Sequence, residues 1–275
     1  MRVYLRNALG KKRFSRTRTT TSTRTSKVPQ TMNKFLLVNL NNTSTKLALA
    51  DADKLLRKVV IPTNKLTMAA VRRALQRWSF DFALVGSVVP QKTGIFRRAV
   101  KAPMLEVSPK LDLGVGIDFP RPETIGADRI ANTVGVSQRH GTPAVVVDFG
   151  TAVTFDIISR QGQYIGGVIA PGLGVMTDYL YQKTALLPRI DLEEPTDVIG
   201  KSTREAMLAG AVFGYRGLVR QIVTEIVAKL EGKARIVATG SYAPLIAAKL
   251  PELQIVDPDL TLEGLRIIAT RNLPS

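Results

Sequence analysis

The sequence predicts an α/β protein built from two related halves, and three observations carry that expectation. Short apolar runs with strand character alternate along the chain with stretches of helical periodicity. Two of the runs, ending near residues 39 and 148, each lead into a polar turn containing Thr and then a second strand, a weak internal duplication. Two such halves facing each other would bring both turns to one central cleft, a common setting for a ligand site.

The elements follow in order. Phe35 to Ala50 reads as strand, polar turn, strand: Leu36, Leu37 and Val38 lead into Asn41-Asn42-Thr43, and Leu47, Ala48 and Leu49 resume the apolar run. From Thr67 to Phe80, Met68, Val71, Leu75 and Trp78 recur at helical spacing, with Arg72, Arg73 and Arg77 on the outer face. Phe82 to Val89 is a short apolar run closed by Pro90, as a buried strand would be. Ala127 to Gln138 is helical and ends in a loop at His140-Gly141-Thr142-Pro143. Ala144 to Asp148, the turn Phe149-Gly150-Thr151 and Ala152 to Ile158 repeat the strand–turn–strand pattern, and Gln161-Gly162-Gln163 carries it into Tyr164 to Ala170. Thr203 to Leu230 forms one or two helices, Ala234 to Thr239 a strand, and Ala243 to Lys249 and Leu260 to Asn272 two more helices. Trp78 and the Met residues lie on apolar faces and are expected in the core; His140, in a polar loop, is expected at the surface.

Composition excludes several classes. The chain has 275 residues, 45% apolar and 22% charged, which is ordinary globular composition and ample for a large core. Without Cys there is no disulfide frame, thiolate zinc site or cysteine nucleophile, and a single His excludes multi-His metal centres. No apolar run reaches the roughly 20 residues that a membrane span needs. A soluble, cytoplasmic protein with no membrane partner is expected. The charge is uneven: 39 Lys plus Arg oppose 22 Asp plus Glu, a net +17, and residues 1–31 supply nine of the cations and no acid. That Thr- and Ser-threaded leader has too little apolar surface to offset its ordering entropy and is expected to be disordered. Three readings of it stand open: an extension upstream of Met32, a tail for nucleic acid or another anionic surface, and a transit-type targeting segment.

Two local motifs suggest chemistry. Asp148-Phe149-Gly150-Thr151 combines a carboxylate at a strand end, a Gly that lets backbone approach closely, and a hydroxyl beside free N–H groups, which suits a cation and phosphates; an ordinary hairpin turn has the same composition. The turn Asn39 to Thr43, with Lys46 beyond it, matches it but carries a neutral amide in place of the Asp. Gly126-Ala127-Asp128-Arg129 opens a helix, where a carboxylate is stabilised and an adjacent Arg can hold an anion; a plain first-turn Asp is the competing reading. Gly200-Lys201-Ser202 imitates the end of a P-loop, but Pro195 stands where that motif needs Gly. Gly172-Leu173-Gly174 lacks the third Gly of a dinucleotide loop.

Together these stretches resemble the type III pantothenate kinases, a family of the actin-like ATPase (acetate and sugar kinase) superfamily. The resemblance is carried in order by Asn39 to Lys46, Ser87-Val88-Val89-Pro90, Gly126 to Asn132 (GADRIAN), Val147 to Phe155 (VDFGTAVTF) and Gly166 to Gly172 (GGVIAPG). It continues through Thr184 to Pro188, Gly200 to Thr203, Gly214 to Leu218 and Ala238-Thr239-Gly240, so that it spans the chain from about Phe35 onward. It implies two ribonuclease H-like halves facing a central cleft, residues 32–143 and 144–275, behind the 1–31 leader. It implies ATP-dependent phosphorylation of pantothenate to 4'-phosphopantothenate, the first step towards coenzyme A. The implied cofactors are Mg²⁺ with ATP and a monovalent cation, K⁺ or NH₄⁺. A homodimer is implied, and nucleic acid is a candidate partner only through residues 1–31.

By the same resemblance, Asp128 is the general base, and Asn39, Asn41, Asn42, Thr43, Lys46, Thr151 and Gly240 contact ATP. Phe119, Gly126, Ala127, Asp128, Arg129 and Thr203 contact pantothenate, and Asp148 is the metal ligand. Four positions depart from the family pattern: Asn39 for Asp, Asn41 for Gly, Phe119 for Tyr and Ser241 for Gly. Loss of the Asp removes a charge that would help hold Mg²⁺ on the phosphates. Two readings follow, a working kinase and a catalytically weakened binding or regulatory relative.

Overall fold

The computed structural model describes residues 33–231 and 233–274. The reading of residues 1–31 as a disordered leader lies outside the described residues. The first sheet opens with an antiparallel meander, β1 (Phe35–Leu40), β2 (Ser44–Ala50) and β3 (Leu55–Pro62). Helix α1 (Met68–Leu75) returns the chain to β4 (Phe82–Ser87), parallel to β1, and α2 (Pro90–Ala99) leads to β5 (Met104–Glu106), parallel to β4. The short strand β6 (Gly116–Ile117) and helix α3 (Ala127–Arg139) come next.

The second sheet repeats the plan with the meander β7 (Ala144–Phe149), β8 (Ala152–Ile158) and β9 (Gln163–Pro171). After α4 (Leu173–Lys183) and α5 (Thr203–Lys229), β10 (Arg235–Gly240) lies parallel to β7. Then α6 (Ala243–Ala247) leads to β11 (Ile255–Val256), parallel to β10, and α7 (Leu260–Asn272) follows. The first sheet runs β3-β2-β1-β4-β5 and the second β9-β8-β7-β10-β11, with β6 added outside β9. The two orders are the same. The weak duplication in the sequence is therefore a duplicated topology, two α/β sheets of one plan, as the resemblance implies.

Alternation along the central strands explains the layering. Leu36 and Val38 of β1 face Val71 and Leu75 of α1 and Phe96 of α2, whereas Phe35 and Leu37 face Ile130 and Val134 of α3 and Leu265 and Ile268 of α7. In β7, Val145 and Val147 face Val212, Tyr215 and Val219 of α5, and Val146 packs with Val136 of α3 and Leu260 of α7. The α3–α7 pair thus lies between the two sheets. Both central strands are buried on both faces, which is why they read as continuous apolar runs.

Several readings change. Strand character predicted to Val89 stops at Ser87, because Pro90 sits at the first turn of α2 and starts a helix rather than merely ending a strand. Residues 203–229 are one helix, not two, which runs unbroken through Gly210, Gly214 and Gly217. Met68 and Met176 are exposed, not core, because each occupies the first turn of its helix outside the packed stripe. His140 is not a surface residue: its side chain is 17% exposed and its Nε2 lies 2.9 Å from Asp257, which also accepts from Arg139.

Helices α3 and α7 cross at glycines. A Cβ at Gly135 would sit 2.6 Å from the Leu260 carbonyl oxygen, and one at Gly264 would overlap the carbonyl of Ala131. Gly264→Ala should lower unfolding stability by at least about 2 kcal/mol, read by urea denaturation. An unchanged midpoint would show that the crossing yields without cost.

Candidate active site

Each central strand ends in a polar turn at the same place in its sheet. In β1, Asn39 lies opposite Lys46 of β2 and Gly86 of β4; in β7, Asp148 lies opposite Thr154 of β8 and Thr239 of β10. The turns meet: Thr43 Oγ1 and Thr151 Oγ1 are 2.7 Å apart and share a hydrogen bond. Around that contact opens a cleft of about 320 Å³. The first turn lines it with Asn39, Asn41, Asn42, Thr43 and Lys46; the second with Asp148, Gly150 and Thr151. Asp128 enters from α3, Gly240 and Ser241 from the end of β10, and Thr261 from α7.

Close backbone approach sets the glycines here. Gly240 has φ +91°, and a Cβ there would lie 2.6 Å from both Asp148 Oδ1 and Phe149 N. Any side chain would push the two strand ends apart. Ser241 follows it, and its N–H donates to the Phe149 carbonyl at 3.0 Å, so the loop still closes on the second turn despite the Ser.

Carboxylates dominate the electrostatics. Burial pushes the Asp128 carboxyl up to about 6, the charge of Asp148 adds to the rise, and a hydrogen bond from its neighbour's N–H (Arg129 N to Asp128 Oδ1, 2.8 Å) opposes it. Gly126 makes room for that carboxylate, since a Cβ there would lie 2.7 Å from Asp128 Oδ1. Burial also raises Asp148, against the Asn132 hydrogen bond and the charge of Lys46. Asn132 Nδ2 donates to Asp148 Oδ2 at 3.1 Å, and Thr261 Oγ1 donates to Asn132 Oδ1 at 2.7 Å, so a chain from α7 through α3 orients the carboxylate.

The donor set suits hard cations. Asp148 supplies one carboxylate, and the amide oxygens of Asn39 and Asn41 are buried without hydrogen-bond partners. Unpaired buried oxygens beside a partly desolvated carboxylate fit Mg²⁺ or K⁺, which take oxygen ligands and share them with phosphates. Among the described residues no group of three or more His, Cys, Asp or Glu side chains could hold a metal ion, so the protein offers only part of a coordination sphere.

Not every expected residue reaches the cleft. Arg129 turns from it to Asp156 of β8, Nε to Oδ1 2.6 Å, and its guanidinium lies 5.5 Å from the centre of the Tyr164 ring. Phe119 packs edge-on against the same ring, at 5.8 Å. Gly126 and Ala127 stand at the start of α3, beside the cleft-lining Asp128. Thr203 is exposed at the start of α5 and does not line the cleft. Sequence reasoning did not single out Asn132, Asp156, Tyr164 or Thr261. Asn132 closes the quoted Gly126 to Asn132 stretch and Asp156 directly follows Val147 to Phe155, but nothing local signals Thr261, which comes from the far end of the chain.

Comparison with known proteins agrees on family and fold. A family model described as type III pantothenate kinase matches residues 35–225. A type III pantothenate kinase from Akkermansia muciniphila is 48% identical over 240 residues, covering 87% of this chain and 99% of the relative. One from Methylacidiphilum infernorum is 41% identical over 236 residues, covering 85% and 87%. Among solved structures, the ethanolamine utilization protein EutJ from Carboxydothermus hydrogenoformans superposes with a TM-score of 0.55 at 14% identity, covering 85% of this chain and 89% of that one. The last likeness concerns the fold alone.

Proposed function

The chain belongs to the type III pantothenate kinases and phosphorylates pantothenate with ATP, giving 4'-phosphopantothenate in the first step of coenzyme A biosynthesis, and we propose that Asp128 is the base of that transfer. One observation carries the assignment: Asp128 lines the same cleft as both polar turns, with its pKa raised to about 6. A base works best when its pKa lies near the working pH, and Asp128 is ionised yet basic enough to accept a hydroxyl proton there. The pantothenate oxygen then attacks the γ-phosphorus of ATP, the bond to the β-γ bridging oxygen breaks, and ADP leaves.

The other roles follow from position. Asn42, Thr43 and Thr151 present turn N–H and hydroxyl groups to the phosphates, and Lys46 adds a cation on the ATP side. Gly240 and Ser241 border the nucleotide side. Gly126, Ala127 and Arg129 form the pantothenate side, where a guanidinium suits the substrate's carboxylate, and Phe119 backs that wall through Tyr164. Mg²⁺ would be held by Asn39 and Asn41 together with the phosphates, and the monovalent cation by Asp148; when bound, these ions neutralise phosphate charge. The binding or regulatory reading gains no support from any relative described above.

We further infer a homodimer. Ile169 of β9 is 63% exposed, Tyr179 of α4 59%, and Leu186 89%. Val175 and Met176 extend this apolar surface along α4, whose Gly174, Val175 and Asp178 line the cleft. A partner seated there would cover the patch and could bring its own Thr203 to the pantothenate side. No described helix is long and apolar enough to cross a membrane, and a cytoplasmic location is proposed with the pathway.

Three outcomes test these readings. Asp128→Asn should cut kcat by at least about 100-fold while thermal unfolding stays near wild type; for the wild-type enzyme, kcat/KM should be level above pH 7 and fall about tenfold per unit below pH 6, as the base is protonated. Near-normal turnover by Asp128→Asn would sink the assignment. Asn39→Asp should restore a negative ligand and lower the Mg²⁺ concentration needed for half-maximal activity, with tighter Mg²⁺ binding by calorimetry; superimposable titrations would show that the amide costs nothing. Tyr179→Glu should shift the protein from dimer to monomer in sedimentation analysis, and a variant that stays dimeric places the interface elsewhere.

A further inference from the structure

Asp156 has no part in the roles assigned above, yet it is 0% exposed and carries a carboxylate into the interior beside the site. Its Oδ1 accepts from Arg129 Nε at 2.6 Å. Burial pushes its carboxyl up to about 7, opposed by Arg129 and reinforced by Asp128 and Asp148. We propose that Asp156 is a positioning residue that fixes the Arg129 guanidinium, holding it off the adjacent base Asp128, for recognition of the substrate's anionic end. The proposal rests on the reading that Arg129 contacts pantothenate, and deepens it.

The surroundings are built for this one side chain. Asp156 of β8 lies opposite Gly167 of β9, and a Cβ at Gly167 would overlap Arg129 Nη2. The strand pair therefore supplies a carboxylate on one side and an emptied side-chain position on the other. Tyr164, from the same strand as Gly167, presents its ring to the guanidinium at 5.5 Å, a cation–π contact within the effective range. Two strands, β8 and β9, thus hold an arginine whose side chain remains 15% exposed.

A closed structural ion pair would satisfy its own atoms. Here Asp156 Oδ2, Arg129 Nη2 and the Tyr164 hydroxyl are all buried and have no hydrogen-bond partner. Buried polar groups are nearly always paired, so three unmet ones around a single guanidinium mark a place completed by a further polar group, from substrate or from a water that accompanies it. A single contact through Nε leaves the two terminal nitrogens of the guanidinium for that purpose. The same arrangement spares Asp128, because an untethered Arg129 could swing back and pair with the base it adjoins in sequence, lowering its basicity.

The test is steady-state kinetics, with each substrate varied, on Asp156→Leu, Asp156→Asn, Arg129→Met and the double variant Arg129→Met/Asp156→Leu, alongside thermal unfolding. Asp156→Leu should raise KM for pantothenate roughly 10- to 100-fold, the worth of a charge-assisted hydrogen bond, with KM for ATP within about threefold of wild type. Asp156→Asn, which keeps an acceptor oxygen in place, should recover most of that loss. The double variant should be no worse than Arg129→Met alone, because both changes act through one side chain. Additive losses, or equal rises in both KM values with a fall in melting temperature, would reduce Asp156 to a structural role and overturn the proposal. If Asp156→Leu does not fold, the Asn variant and the double variant, which buries no lone cation, decide between the same outcomes. Normal pantothenate KM in Arg129→Met would refute the substrate role of Arg129 and the proposal with it; a defect there without one in Asp156→Leu refutes the proposal alone.

Discussion

The crossing of α3 and α7 is the constraint on which the cleft depends. The two helices lie between the sheets, and they approach so closely that Gly135 and Gly264 stand where any Cβ would meet the other helix's backbone. From α3 come Asp128 at the mouth and Asn132 behind Asp148; from α7 comes Thr261, which orients Asn132. The first sheet packs on this pair through Phe35 and Leu37, the second through Val146. The distance between the two polar turns, and with it the Thr43–Thr151 contact, follows from how closely these two helices can lie.

Two desolvated carboxylates in the cleft, Asp128 and Asp148, and a third buried beside it, Asp156, cost stability. The Asp128 carboxyl rises from 3.8 to about 6 on folding, so its contribution to stability is fully present below the unfolded value and is lost as pH rises through 6. Asp148 and Asp156 are raised in the same direction. Around neutral pH these carboxylates therefore hold more negative charge than the fold favours, set against Lys46 and Arg129. Ions that accompany ATP would relieve that excess, which couples binding to stability.

The amide at Asn39 fits this electrostatic picture. An Asp there would add another carboxylate to a cleft that already raises the ones it has, whereas an amide oxygen keeps a metal-facing acceptor without the charge. Asn41 likewise leaves its side-chain oxygen buried and unpaired at the first turn. Asn39 keeps an oxygen donor while removing a charge, and Asn41 adds an oxygen donor where the family pattern has none, so the two alter the strength of cation binding more than the kind of ligand.

Local information was enough for the central strands, the two turns and the start of α3. Residues such as Leu36 to Val38 and Val145 to Val147 are apolar because both faces of their strands are covered, and turn residues such as Gly150 and Thr151 advertise their own geometry. The edge elements were not legible: β3 carries Arg57 and Lys58 in mid-strand, and β6 and β11 are two residues each, defined by a neighbour rather than by their own pattern. Asp156 shows the limit most clearly. In sequence it is a polar residue in an alternating strand, indistinguishable from a solvent-facing one, and only the packing of α3 across β8 makes it a fully buried partner of Arg129. What the sequence determined alone was the chemistry available, the two turns and the acid–arginine helix start, because these depend on residue type at short range. Which carboxylate is desolvated, which arginine is tethered and which residues share the cleft were decided by tertiary structure, because burial and apposition arise only when segments more than a hundred residues apart, such as Asn132 and Thr261, are packed together.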